Sequence, residues 1–330
     1  MNRGMLFAAL AATGFAAMAT PAMTVCAADD PVELQTVDAL NKTFGVHAGF
    51  RANHAKGIVA EGSFKPSADA AALSKASLFA GGALPVTARF SDSGGLPDVP
   101  DGSGLANPHG LAIKYHLPNG DETDMVTNSL KFFPVANIAD FRDMFLAIAA
   151  SPPDAAHPTK FEQFMASHPS APAAFGTIST PDSFAHETYY GLDAFVLVSK
   201  SGARQAVRYV LVPERAVHLE AADAAKRAPD FLMDELKERL AKGPVTFRLM
   251  AQLAEKGDPT NDATKAWPDS RKAVELGIVT LDKAVSNSAE AEKALLFLPG
   301  RLVDGIEPSD DPLIESRDSA YAVSFSRRNP

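Results

Sequence analysis

The feature that most constrains this chain is one-sided strand patterning. From Val245 to Ala254, the apolar residues Val245, Phe247, Leu249 and Ala251 alternate with Thr246, Arg248 and Met250. Successive strand side chains point to opposite faces, so a period of two buries one face and leaves the other wet. Further β-rich runs are Gly57 to Phe64, Val86 to Asp92, Leu111 to His116, Asp124 to Asn128, Ala194 to Ser199, Gln205 to Pro213 and Val274 to Asp282, which makes eight. Eight strands are enough to close an antiparallel barrel with a filled interior.

Helical patterns lie between and beside these runs. Val37 to His47 predicts a short helix entering the fold. Ile138 to Ala150 carries Phe141, Phe145 and Ile148 at helical spacing, and Pro158 to Ser167 carries Phe161 and Phe164. Asp230 to Lys242 ends at the stop signal Gly243-Pro244, and Ala289 to Leu298 is closed by Pro299-Gly300. Pro152-Pro153 and the proline-rich stretch from Ser167 to Pro172 are surface connections, so one α+β domain is expected.

The N-terminus reads as an export signal. Arg3 is its positive end, Met5 to Ala19 is an apolar run, and Val25-Cys26-Ala27 offers a cleavage site after small residues. The run is shorter than the ~20 residues of a membrane span. We therefore expect residues 1–27 to be a signal peptide and 28–330 the mature domain, periplasmic and without stable membrane association. Cys26 is the only cysteine, and Val25 is bulky where a lipidation site wants a small residue, so Cys26 is expected to leave with the signal. The mature domain then has no disulfide and no thiolate to serve as a metal ligand or nucleophile. A net charge of -9 argues against a nucleic-acid partner.

Several short blocks carry chemistry. Arg317-Asp318-Ser319-Ala320-Tyr321 puts a guanidinium one helical turn before a phenol, where it can reach the phenol oxygen. Arg51-Ala52-Asn53-His54-Ala55-Lys56-Gly57, Pro85-Val86-Thr87-Ala88-Arg89-Phe90-Ser91 and Asn128-Ser129-Leu130-Lys131-Phe132-Phe133 precede it in that order. Asp258-Pro259 through Trp267-Pro268 and Gly305-Ile306-Glu307-Pro308-Ser309 complete the set. In content and order these blocks resemble the haem catalases, over roughly Phe44 to Arg328, and most of all the short, often exported branch of catalase-related peroxidases.

The resemblance implies a haem-binding, eight-stranded antiparallel barrel with surrounding helices. It implies haem b with Tyr321 as the axial ligand, ionised with help from the iron and Arg317. His54 is then the base that shuttles a proton between the peroxide oxygens, Asn128 a fixed dipole that positions peroxide, and Ser91 the partner that orients His54. Arg51, Arg89 and Arg328 are candidates for the haem propionates, because a guanidinium grips a carboxylate as a fork. Phe133 is expected against the haem plane. Asn53 stands where catalases carry a small apolar residue, and Lys131 interrupts an apolar run. Tyr115, Tyr189, Tyr190 and Tyr209 are read as core or strand residues, and His109, His186 and His218 as structural or exposed.

The expected function is a peroxidase reducing hydrogen peroxide with small organic electron donors in oxidative-stress defence, with weak catalase activity. The chain stops nine residues after Tyr321, without the long C-terminal region of full-size catalases, and donor access is expected to follow. Three alternatives stand beside it: a true small-subunit catalase, an organic hydroperoxide isomerase and a non-enzymatic haem carrier. The oligomeric state is left open.

Overall fold

The computed structural model describes residues 30–329; the expected signal peptide lies outside them. Val32–Phe44 forms α1. It begins earlier than the sequence reading placed it, and it stops where Gly45 takes φ 85°, a left-handed conformation that favours glycine. Gly57–Pro66 (β1), Leu84–Ser91 (β2), Gly110–His116 (β3) and Glu122–Asn128 (β4) then run as an antiparallel meander. Ile138–Ala149 (α2) follows, capped by Asn137, whose side chain accepts from Asp140 N. A shorter helix, Lys160–Ser167, has a full capping box from Thr159 and Glu162.

Tyr189–Tyr190 (β5) and Phe195–Val198 (β6) lie end to end along one edge of Arg204–Pro213 (β7). Tyr189 is opposite Leu211, and Phe195 is opposite Val207. Together they form one interrupted wall, which joins β4 through the pairing of Asn128 with Tyr190. Phe231–Lys242 (α3) leads into Val245–Leu253 (β8) and Ala273–Ala284 (β9). β9 pairs with both β8 and β1, and β8 closes the ring on β7, from Phe247 opposite Pro213 to Leu253 opposite Val207. The result is a closed eight-stranded antiparallel barrel.

The inward face is the apolar face predicted by the alternation. Val245, Phe247, Leu249 and Ala251 are buried, while Arg248 is exposed and Thr246 and Met250 are half-buried. Phe64, Phe90, Tyr115, Phe184, Tyr189 and Phe247 fill the interior, with Phe90 stacked on Phe184 at 5.4 Å between ring centres. Leu232 and Leu236 of α3 join the same core.

After β9, Ser288–Ala294 (α4) is shorter than the predicted Ala289–Leu298, because Leu295 turns extended. Ile306–Pro308 (β10) pairs on β6, outside the ring. Pro312–Arg328 (α5) ends the described chain, capped by Asp311, with proline in its first turn. α1 packs against α2 and α5, so these helices cover a patch of barrel wall. Among the described residues no helix is long and apolar enough to cross a membrane.

Candidate active site

Between the barrel wall and α5 lies one cavity that every predicted site residue lines. Its two sides are built differently.

The helix side comes from one face of α5. Leu313, Arg317, Ala320, Tyr321, Ser324 and Arg328 recur three or four residues apart and all face the cavity. Arg317 Nε and Nη2 both donate to Tyr321 Oη, at 3.2 and 3.1 Å. The third nitrogen of the fork pairs with buried Asp193. Burial opposes the charge on Arg317, yet Asp193 first and Tyr321 next more than reverse it, leaving the guanidinium firmly protonated. An oxygen that receives two charged donors is held as an acceptor, which is what an ionised phenol needs.

The barrel side comes from strand register. Ser91 on β2 is opposite Gly110 on β3, and Gly110 is opposite Asn128 on β4. Directly opposed residues share a face, so Ser91 and Asn128 present their side chains on one side of the sheet. Gly110 between them leaves room. A Cβ there would stand 2.8 Å from Ser91 Oγ and 3.2 Å from His54 Nδ1.

His54 sits in the loop before β1, its Nδ1 3.1 Å from Ser91 Oγ. Its φ of 56° is the one positive value at a non-glycine among the described residues, a strained conformation for a side chain of this size. Arg89 Nη2 donates to His54 O at 2.9 Å, and Asn53 Oδ1 accepts from Gly94 N at 2.9 Å, so the turn is pinned from both sides. Ala52 N donates to Ser324 Oγ at 3.2 Å, tying this loop to α5. Burial, reinforced by Arg89, pushes the His54 imidazole down to about 3, so it is neutral at ordinary pH.

Asn128 Oδ1 accepts from Leu130 N at 2.9 Å. Because that amide can only donate, the side-chain orientation is decided and the Nδ2 protons are left for the cavity. Phe133 stacks on Phe141 at 5.5 Å and lines the cavity with Val37, Leu40 and Leu111.

Arg51, Arg89 and Arg328 gather at one end of the cavity. Arg51 Nη2 and Arg328 Nη2 donate to Leu295 O at 2.9 and 2.6 Å, and Arg328 Nε is buried with no acceptor. Burial first and then Arg89 lower both groups, Arg51 well below the usual guanidinium range and Arg328 to about 10. This end is built for anions.

Sequence reasoning missed Gly110, Asp193 and Glu292, which pairs with Arg51 and Arg89. Their roles come from cross-strand register and long-range contact, for which no local motif exists. His109, His186 and His218 do not line the cavity: His109 is fully buried against Asp92, His186 pairs with Asp182 and His218 with Glu187. Among the described residues no group of His, Cys, Asp and Glu could hold a metal ion. Lys131 is exposed near Asp269, away from the cavity lining.

A family profile described as Catalase matches residues 33–329. The chain is 35% identical to a catalase-related peroxidase of Synechococcus elongatus, covering 89% of this chain and 88% of that protein. It is also 35% identical to a catalase-related peroxidase of Mycolicibacterium paratuberculosis, covering 89% and 94%. A catalase of Vibrio vulnificus is 29% identical over 82% of this chain and 56% of its own length. Among solved structures, a fungal catalase superposes with a TM-score of 0.76 at 23% identity, covering 88% of this chain and 61% of that one.

Proposed function

Because the chain belongs to the catalase family, we propose that it is a haem-dependent peroxidase. It reduces hydrogen peroxide with small organic electron donors, retains weak catalase activity, and serves oxidative-stress defence in the periplasm. The observation that carries this reading is the double donation of Arg317 to Tyr321 Oη inside the cavity that His54, Ser91 and Asn128 also line.

The residues fit haem b. Its two propionates suit the arginine end, where Arg328 Nε lacks an acceptor. Its flat apolar ring suits Val37, Leu40, Leu111, Phe133 and Phe141. Tyr321 would hold the iron through its phenol oxygen, which two nitrogens of Arg317 fix in the cavity. When bound, the haem supplies an iron that accepts two oxidising equivalents from peroxide and returns them to donors.

The side chains supply the proton chemistry. Cleaving peroxide requires a proton to leave one oxygen and arrive at the other. His54, kept neutral by burial, accepts that proton and gives it back. For Nε2 to be the accepting atom, Nδ1 must carry the hydrogen and donate to Ser91 Oγ, which selects the tautomer. Asn128 donates from Nδ2 and costs no reorganisation, because its carbonyl is already held by Leu130 N. The preference for peroxidase over catalase rests on similarity to catalase-related peroxidases across nearly their whole lengths.

The test is an absorption spectrum of purified protein, followed by dye oxidation and oxygen evolution on hydrogen peroxide. We expect a high-spin ferric haem spectrum, steady oxidation of a phenolic dye and slow oxygen release. Fast oxygen release without dye turnover would make it a catalase. Rearrangement of an organic hydroperoxide would make it an isomerase, bound haem without turnover a carrier, and no haem at all would end the reading.

A further inference from the structure

Behind the arginine end of the cavity stands a single carboxylate. Glu292, on α4, uses Oε2 to accept from Arg89 Nε at 2.7 Å and from Arg51 Nη1 at 3.2 Å, and the same oxygen forms an ion pair with Arg89 Nη2 at 2.6 Å. Its other oxygen is 3.4 Å from Ser288 Oγ. Only 12% of its side chain is exposed, and it is absent from the cavity lining, whereas Arg51, Arg89 and Arg328 line it. The arginines therefore stand between Glu292 and any ligand. The end of α4 assists, since Glu292 O and Leu295 O receive Arg51, and Leu295 O also receives Arg328. Last carbonyls of a helix carry partial negative charge and suit cations.

Three guanidiniums and one carboxylate leave two net positive charges, equal and opposite to a dianion. We propose that Glu292 is a positioning residue that acts as an internal counter-ion. It holds the arginine cradle together before the cofactor arrives, sets the net charge to match two propionates, and lowers haem affinity in exchange for a stable empty site. This rests on the haem reading above. Repulsion among the three arginines is strongest when the site is empty and is relieved by either anion. Glu292 therefore stabilises the empty form more than the filled one, and by linkage opposes propionate binding.

The test is Glu292→Gln, which keeps an oxygen acceptor and removes the charge. Two quantities are read: the rate of haem transfer to excess apomyoglobin, and the thermal midpoints of haem-free and haem-loaded protein. We expect about fivefold slower haem loss in the variant, as a partly buried charge pair implies, shrinking towards unity at high salt. The haem-free midpoint should fall more than the haem-loaded one. Haem dimethyl ester, which lacks the propionate charges, should leave wild type and variant at equal rates.

Equal or faster loss of ordinary haem from the variant, or an equal fall in both midpoints, would overturn the counter-ion role. If Glu292→Gln yields no folded protein, Glu292→Asp decides: recovery with the shorter carboxylate supports the need for charge, and failure refutes it. Wild-type protein that takes up no haem would instead refute the haem reading.

Discussion

The two sides of the cavity solve the same placement problem by opposite means. The helix side uses one continuous segment, in which Arg317, Tyr321, Ser324 and Arg328 fall on one face by helical spacing alone. The barrel side draws His54, Ser91 and Asn128 from three separate segments, and they meet only because β2, β3 and β4 hold one register. A helix carries its geometry within itself, whereas a strand borrows it from its neighbours. The helix side should therefore hold the cofactor robustly, while the barrel side performs the proton work and fails selectively when one member is lost.

The largest test of that contrast is Tyr321→Phe. It should lose most bound haem, or convert what remains to a different spectrum, as read by pyridine haemochrome and visible absorption. Full haem content with an unaltered ferric spectrum would show that the helix side does not hold the iron.

His54→Ala comes next. It should keep haem and slow the peroxide reaction by about 100-fold or more in stopped flow, the low end of what positioned acid–base groups contribute. A rate within about threefold of wild type would break the assignment of proton work to the barrel side.

Asn128→Ala should cost about fivefold in the same experiment, because it removes one hydrogen bond and no proton carrier, and one such bond is worth about 1 kcal/mol. A loss equal to that of His54→Ala would mean the two act as a single unit.

The smallest effect is one of pH. With His54 lowered from 6.5 to about 3, the neutral base persists well below neutrality. The peroxide rate should stay level from about pH 8 to about pH 5 and fall only as pH approaches 3. An acidic limb centred near 6.5 would contradict it. For stability the sign is that of a depressed pKa. The unfolded chain binds the proton first, so stability present above 6.5 is lost as pH falls through 6.5 towards 3. His54→Ala should remove part of that acid sensitivity.

This contrast also marks what was legible in the sequence. All eight β-rich runs appear as strands close to where the sequence placed them, and in β8 burial on one face writes a period of two directly into residue order. The helix face of α5 was equally readable, since Arg317 and Tyr321 are one turn apart. What escaped was set by distant contact. α1 begins at Val32 rather than Val37; no side-chain cap marks its start, and the signals there are Pro31 and the first-turn Glu33. α4 ended early because Leu295 turns extended and gives its carbonyl to Arg51 and Arg328. Gly110 is an ordinary strand glycine until register sets it between Ser91 and Asn128. Asp193 and Glu292 carry no motif, and each has meaning only through an arginine far along the chain.

Ring closure has a consequence for how the protein is made. Ala60 of β1 pairs with Ala284 of β9, so a nascent chain must display the outer edge of β1 until nearly the whole polypeptide exists. Unpaired edges invite wrong partners, and charged residues blunt them. β1 carries exposed Glu61 and Lys65 beside the buried Ile58, Val59, Ala60 and Phe64. The cavity-lining residues Leu295, Leu296 and Phe297 and helix α5 follow β9, so they emerge after the last stave of the barrel. A chain interrupted before Pro312 would have a barrel but would lack the side of the cavity that carries Arg317 and Tyr321.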